Sequence, residues 1–347
     1  MSDADRSAPD LLAPIPFPPV PVAPHRALLD GPDARRTWWR DHVTDRLDGW
    51  GARLFLWSLR WLPVDWCSAV GAALGRTFPR AMVPEPALRA RLAANIDHFL
   101  PGDANPARFA QAWYVERGRV LAEYAVVDRL VAEERVVLDG AAHLDAACAT
   151  GRPLIFVSLH LSNWELFLTA LSGRGGIGAA RGLRIAATNR PPRNRFSRRL
   201  AADLRARNGR LAFPPGTATA RRLRQILTAR AGHVAFLIDE VKDGEIAAPR
   251  FGRPPAQAGN LVIAAKLACA TDALILPGLI TRDRGAHFTL RFAPAQDPRD
   301  FAPDTTGRIA LQNAVSDIAE GQIRASLGQW WNLRRIPTPN GETEHDR

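Results

Sequence analysis

Apolar and polar positions divide the chain into three stretches of different rhythm. Residues 1–32 show no period, because Pro9, Pro14, Pro16, Pro18, Pro19, Pro21 and Pro24 crowd the segment. Proline at that density excludes helix and central strand, so a disordered, Pro-rich tail is expected over 1–32. From 33 to 132 apolar residues recur at helical spacing. Helices are predicted over 35–60, 64–77, 86–98 and 106–130, with Pro63 at a break and Pro86 and Pro106 in first turns. From 133 the rhythm alternates. Strands are predicted at 136–138, 154–158, 183–188, 233–238, 273–280 and 287–292; the run Leu154–Ser158 is apolar enough to be covered on both faces. Helices are predicted at 141–149, 162–171, 193–207, 219–230, 258–270 and 305–327, the third of them closed by Asn208-Gly209. This alternation predicts an α/β domain over 133–337, a mostly parallel central sheet flanked by helices. Residues 338–347 read as a second disordered tail.

The helical stretch is also rich in tryptophan. Trp38, Trp39, Trp50, Trp57, Trp61 and Trp66 are six of the ten in the chain, with Arg35, Arg36, Arg40, Arg46, Arg53 and Arg60 among them. A spanning helix needs about 20 largely apolar residues. The most apolar part, Leu54 to Leu74, is interrupted by Arg60, Pro63 and Asp65. Trp and Arg around short apolar runs suit the headgroup layer, so 33–132 is read as a membrane-associating region lying in the interface plane. The competing reading is a Trp-rich core helix of a soluble domain.

Composition narrows the partners. The chain has 347 residues, 46% apolar and 23% charged, which excludes wholesale disorder and leaves a core that needs no disulfide or metal staple. The net charge is +11, and nearly all of the 46 basic residues are arginine, lysine occurring only at Lys242 and Lys266. That balance asks for an acidic partner. The basic run Arg190, Arg193, Arg195, Arg198, Arg199, Arg205, Arg207 and Arg210 has Phe196 as its only aromatic, so nucleic acid is not expected. Cys67, Cys148 and Cys269 are odd in number and scattered, and are expected to be buried, reduced thiols of a cytosolic compartment.

One segment carries chemistry. A buried strand ends at Ser158, and His160 follows at the sheet's carboxyl edge, where open α/β sheets place ligands. Histidine accepts a hydroxyl proton near neutral pH, and a carboxylate at its other nitrogen would fix its tautomer. Glu165, five positions on, supplies that carboxylate. Glu165 also fits a capping box with Ser162 as the N-cap. Walker A, GxGxxG, GxSxG and HExxH patterns are absent.

His160-x4-Glu165, with Asn163-Trp164 before the glutamate, resembles the HX4(D/E) motif of the bacterial lipid A biosynthesis (lauroyl/myristoyl) acyltransferases, within the wider lysophospholipid acyltransferase superfamily. Further segments resemble the family in order: Asn189-Arg190-Pro191-Pro192-Arg193-Asn194, Arg205-Ala206-Arg207-Asn208-Gly209, Phe236-Leu237-Ile238-Asp239-Glu240, Arg250-Phe251-Gly252-Arg253-Pro254, and Gln329-Trp330-Trp331-Asn332-Leu333-Arg334-Arg335. The resemblance covers about residues 50–337. Leu161-Ser162 departs from the usual Phe-Gly, Glu240 from the usual glutamine, and Arg250 from the first of two phenylalanines. The long spanning N-terminal helix of many members is degraded.

The resemblance implies acyl transfer from a thioester of acyl carrier protein or coenzyme A to a hydroxyl of a lipid A precursor. His160 would be the general base and Glu165 its partner. Asn163, Arg190, Asn194, Asp239, Phe251 and Gly252 would contact substrate, with Arg190 on a phosphate or the oxyanion. No metal or other cofactor is implied. The expected place is the cytoplasmic face of a bacterial inner membrane, with acyl carrier protein as an acidic partner of the basic run. The alternatives are the same chemistry on another glycolipid or phospholipid, such as a phosphatidylinositol mannoside, or a non-catalytic basic membrane-binding protein.

Overall fold

The structure, a computed structural model, describes residues 10–102, 105–173, 176–207 and 211–337. The first nine residues of the tail expected over 1–32, the tail expected over 338–347, and the helix stop at Asn208-Gly209 lie outside the described residues. The helical half runs α1 (Pro32–Trp39), α2 (Asp45–Leu59), α3 (Val64–Thr77), α4 (Pro79–Met82), α5 (Pro86–Phe99), α6 (Pro106–Glu123) and α7 (Val127–Ala132). The alternating half runs β1 (Val136–Asp139), α8 (Ala141–Ala149), β2 (Leu154–Ser158), α9 (Glu165–Ser172), β3 (Ile185–Thr188), α10 (Arg195–Arg207), β4 (Leu211–Phe213), α11 (Thr217–Thr228) and β5 (His233–Leu237). It continues through a hairpin of β6 (Val241–Lys242) and β7 (Glu245–Ile246), then α12 (Asn260–Thr271), β8 (Leu274–Arg284), β9 (His287–Phe292) and α13 (Thr305–Ala325).

Among the described residues the main sheet has strand order β1-β9-β8-β2-β5-β3-β4 and is parallel except for the β8–β9 pair. Its alternation builds two cores. In β2, Ile155 and Val157 face one apolar cluster while Leu154 and Phe156 face the other, because successive strand side chains point to opposite faces. Leu92, Ile96 and Trp113 of the helical half share the first cluster with Leu159 and Phe236, and Cys67 and Ala122 share the second with Leu166 and Phe288.

Several elements differ from the sequence reading. The helix expected over 106–130 is two, because the chain turns at Tyr124–Val126, where Arg60 takes the Ala125 carbonyl at 3.3 Å. β8 extends to Arg284 because it forms a hairpin with β9. β4 has three residues, too few to show a period. The described part of the Pro-rich tail is packed: Leu12 is buried in the first core cluster. Arg222 binds the carbonyls of Asp10 and Leu11 (3.4 and 3.3 Å), and Arg198 that of Pro18 (2.6 Å). Of the cysteines only Cys67 is buried, its thiol pushed up to about 12 by that burial; Cys148 is half-buried and Cys269 exposed.

The tryptophans of α2 are not core. Leu47, Trp50, Leu54, Trp57 and, just past the helix, Trp61 follow at intervals of three and four, so they share one face, and all are exposed. The opposite face lies on α10, where a Cβ on Gly49 would stand 2.2 Å from the Phe196 Cβ. Trp39 and Trp66 are exposed too. No helix among the described residues is long and apolar enough to cross a membrane.

Candidate active site

β2 and β5 are neighbours, with Ser158 opposite Leu237. His160 and Asp239 each lie two residues beyond the carboxyl ends of those strands, so the sheet itself brings them together. The His160 backbone N–H donates to both Asp239 oxygens (3.0 and 3.1 Å), and the ring bonds Oδ1 through Nδ1 at 2.8 Å. Trp330 Nε1–H donates to Oδ2 at 2.8 Å. Asn332 Nδ2 donates to the Asp239 carbonyl at 2.6 Å and to Oδ2 at 3.2 Å. Asp239 is fully buried. Burial alone would raise its carboxyl; the neighbouring His160 and the bonds from His160 and Trp330 outweigh it and hold the group below the usual carboxylate range. An ionised carboxylate only accepts, so Nδ1 carries the proton and Nε2 is the basic nitrogen.

The backbone after His160 is pinned to the closing segment. Ser162 N–H donates to Gln329 O and Trp331 N–H to His160 O, both at 2.9 Å. This holds Ser162 at φ +46°, so α9 starts at Glu165 and the capping-box reading gives way; the Ser162 hydroxyl donates to Glu116 instead (3.0 Å). Trp164 sets its ring against His160 with centroids 5.1 Å apart and against Trp331 at 4.8 Å. Arg117 covers Trp331 at 3.5 Å.

Glu165 is buried, but the carboxylate on the His160 ring is Asp239. Glu165 Oε1 accepts from Arg205 at 2.9 Å and from Tyr124 OH at 3.4 Å. These groups border a cavity of about 190 Å³ whose walls include His160, Trp164, Arg190, Arg205 and Phe236. Its wall combines one basic nitrogen, cationic side chains and apolar surface. Such a lining accommodates an apolar tail and a reacting carbonyl together.

The other expected contacts separate. Arg190 lines the cavity, with one guanidinium nitrogen on Val241 O at 3.0 Å. Asp239 has no surface for a substrate; it serves His160. Asn163 is buried and donates to Glu123 at 3.1 Å, inside a network in which Arg282 bridges Glu116 and Glu123. Asn194 caps α10, accepting from Phe196 N (2.9 Å) and Ser197 N (3.2 Å), and ties it to α2 through Asp45 O. Phe251 and Gly252 form a turn at positive φ, with the Phe251 ring against Phe99 and Trp330, and are not among the residues that line the cavity. The basic run is also divided: Arg195, Arg198 and Arg205 bond inward, while Arg193, Arg199 and Arg207 are exposed.

Sequence reasoning missed Trp330, Asn332 and Arg205 as site residues. Trp330 and Asn332 lie in the closing segment that carried the resemblance, yet nothing local marks them as partners of a carboxylate. Among the described residues no group of His, Cys, Asp and Glu is placed to hold a metal ion.

A family model described as bacterial lipid A biosynthesis acyltransferase matches residues 35–336. No curated protein matches the chain in sequence. Among solved structures, the chain is similar to that of the 1-acyl-sn-glycerophosphate (LPA) acyltransferase, PlsC, from Thermotoga maritima. The identity is 15%, the alignment covers 74% of this chain and 95% of that one, and the TM-score is 0.32.

Proposed function

The chain belongs to the bacterial lipid A biosynthesis acyltransferase family, and from that premise we propose that it moves a fatty acyl chain from a thioester to a hydroxyl of a lipid A precursor. His160 Nε2 takes the proton of the acceptor hydroxyl as its oxygen attacks the thioester carbonyl. A carbon–oxygen bond forms, the carbon–sulfur bond breaks, and the proton on His160 passes to the departing sulfur. Asp239 holds the Nδ1–H tautomer and stabilises the imidazolium between the two transfers. Glu165 positions Arg205 in the cavity wall. Among the described residues of the cavity wall, Arg190 and Arg205 are the cations placed for a phosphate or the developing oxyanion. The chemistry draws on these side chains and needs no metal. The observation that carries the reading is the 2.8 Å contact between His160 Nδ1 and buried Asp239 at the edge of a cavity.

The protein acts at the cytoplasmic face of the inner membrane, seated on the Trp face of α2. Tryptophan favours the interface, and the interspersed arginines favour anionic headgroups. α2 packs on α10, and α10 supplies Arg205 to the cavity wall, so the docked face and the cavity share one helix pair. The exposed Arg193, Arg199 and Arg207 favour acyl carrier protein as the donor, by charge complementarity.

Lipid mass spectrometry tests the reading. A strain lacking the gene is complemented with wild type or with His160→Ala. Wild type is expected to restore one acyl chain to lipid A, and the variant is expected to fail. Identical lipid A in all three strains rejects the acceptor, and a change in another glycolipid or a phospholipid names its replacement.

A further inference from the structure

A second cavity, of about 300 Å³, lies beside the first. Asn189, Arg205, Leu211 and Ala212 line both, so the two share a wall. The outer wall of the second is the N-terminal segment Pro14–Phe17, and its remaining lining includes Pro191, Pro192 and Ala202. Among the described residues that line it, all but Asn189, Arg198 and Arg205 are apolar.

The strap is built to stay in place. Arg222 fastens it at Asp10 and Leu11, and Arg198 fastens it at Pro18. Leu12 is sunk into the core. Between these anchors inward and outward residues alternate: Ile15 and Phe17 are half-buried, while Pro14 and Pro16 are exposed. Proline has no N–H, so the extended segment leaves few donors unsatisfied over an apolar space.

We propose that this second cavity holds the distal end of the donor's acyl chain, and that Ile15 and Phe17 set the chain length accepted. The inference rests on the acyl-transfer reading. A carbonyl held at His160 starts its hydrocarbon tail in the first cavity, and the rest of the tail goes either out of the cavity mouth into water or along the shared wall into the apolar space under the strap. Burying apolar surface favours the second. The strap then acts as a stop, because a chain too long for the space must displace a segment anchored at both ends.

The test compares decanoyl, lauroyl and palmitoyl thioesters with wild type, Ile15→Trp, Phe17→Trp and Phe17→Ala. In a hydrophobic pocket a single methylene changes rates about tenfold or more. The tryptophan variants are expected to lower the ratio of long-chain to short-chain transfer by about that factor, and Phe17→Ala to raise it. Unfolding temperatures with each acyl coenzyme A give a second readout that needs neither acceptor nor turnover. The rise on binding should grow with chain length in wild type and stop growing at a shorter chain in the tryptophan variants. An unchanged length preference in folded variants overturns the proposal. So does a change in acceptor KM with the length ratio intact, which would assign the cavity to the acceptor. Wild type that transfers no acyl chain refutes the enzyme reading, while the unfolding series still judges the strap.

Discussion

The Asp239 carboxylate accepts from the His160 backbone N–H through both oxygens, from the His160 ring, from the Trp330 indole and from the Asn332 amide, and it is the carboxylate that holds the imidazole. Asp239→Asn keeps the shape but no longer selects the Nδ1–H tautomer. Acyl transfer is expected to fall by about 10²- to 10⁴-fold, measured as initial rate on a thioester donor. Glu240, the next residue, titrates differently. Burial pushes its carboxyl up to about 7, against a weaker opposing bond from the Asn260 N–H. The unfolded side chain titrates at the ordinary glutamate value of 4.5. Between those values the folded state binds the extra proton, so stability falls as pH rises through that window and levels off above it. Glu240→Gln, the amide usual in the family it resembles, removes that slope. Urea unfolding should find the variant more stable than wild type above pH 7 by roughly 1–3 kcal/mol, and little different below about pH 4.

At the scale of elements, α3 and α6 pack backbone to backbone. A Cβ on Gly118 would meet Gly71 O at 2.1 Å, and one on Gly71 would meet Gly118 O at 2.4 Å. These clashes are with main chain, which no rotamer change relieves. Gly118→Ala must push the helices apart, and a loss of about 1–3 kcal/mol is expected in denaturant unfolding. The consequence reaches the site, because α6 also carries Glu116 and Glu123, which fix Arg282, Ser162 and Asn163 around the His160 loop. A separation of α3 from α6 therefore loosens the loop that follows β2. The same scale accounts for the residues whose roles changed. Asn163 and Asn194 hold elements together, one within the buried ion network and the other between α2 and α10. Their spacing in the motifs carries no information on which partner each side chain finds.

Over the whole molecule, the helix that carries the exposed Trp face packs on α10, which supplies Arg205 to the cavity wall. Replacing Trp50, Trp57 and Trp61 together with serine should weaken co-sedimentation with anionic vesicles by about tenfold or more, and leave the unfolding temperature near that of wild type, since these rings cover no core. The sequence by itself determined the alternating α/β layout, the strands β2 and β9 to the residue, the helix α3 to the residue, and His160 at a strand's carboxyl end. Those are local properties: a period of two or of 3.6, a proline in a first turn, a polar residue after an apolar run. The carboxylate on His160 was not local. Asp239 lies 79 residues further on, and it is adjacent only because β5 pairs with β2 in the sheet order. Glu165, five positions away, was the nearer choice along the chain, but Arg205 and Tyr124 hold its carboxylate elsewhere. The Pro-rich segment shows the same division. Its composition specified an extended chain without helix. Only the packing of Leu12 and the reach of Arg198 and Arg222 decided that the extended chain would close a cavity.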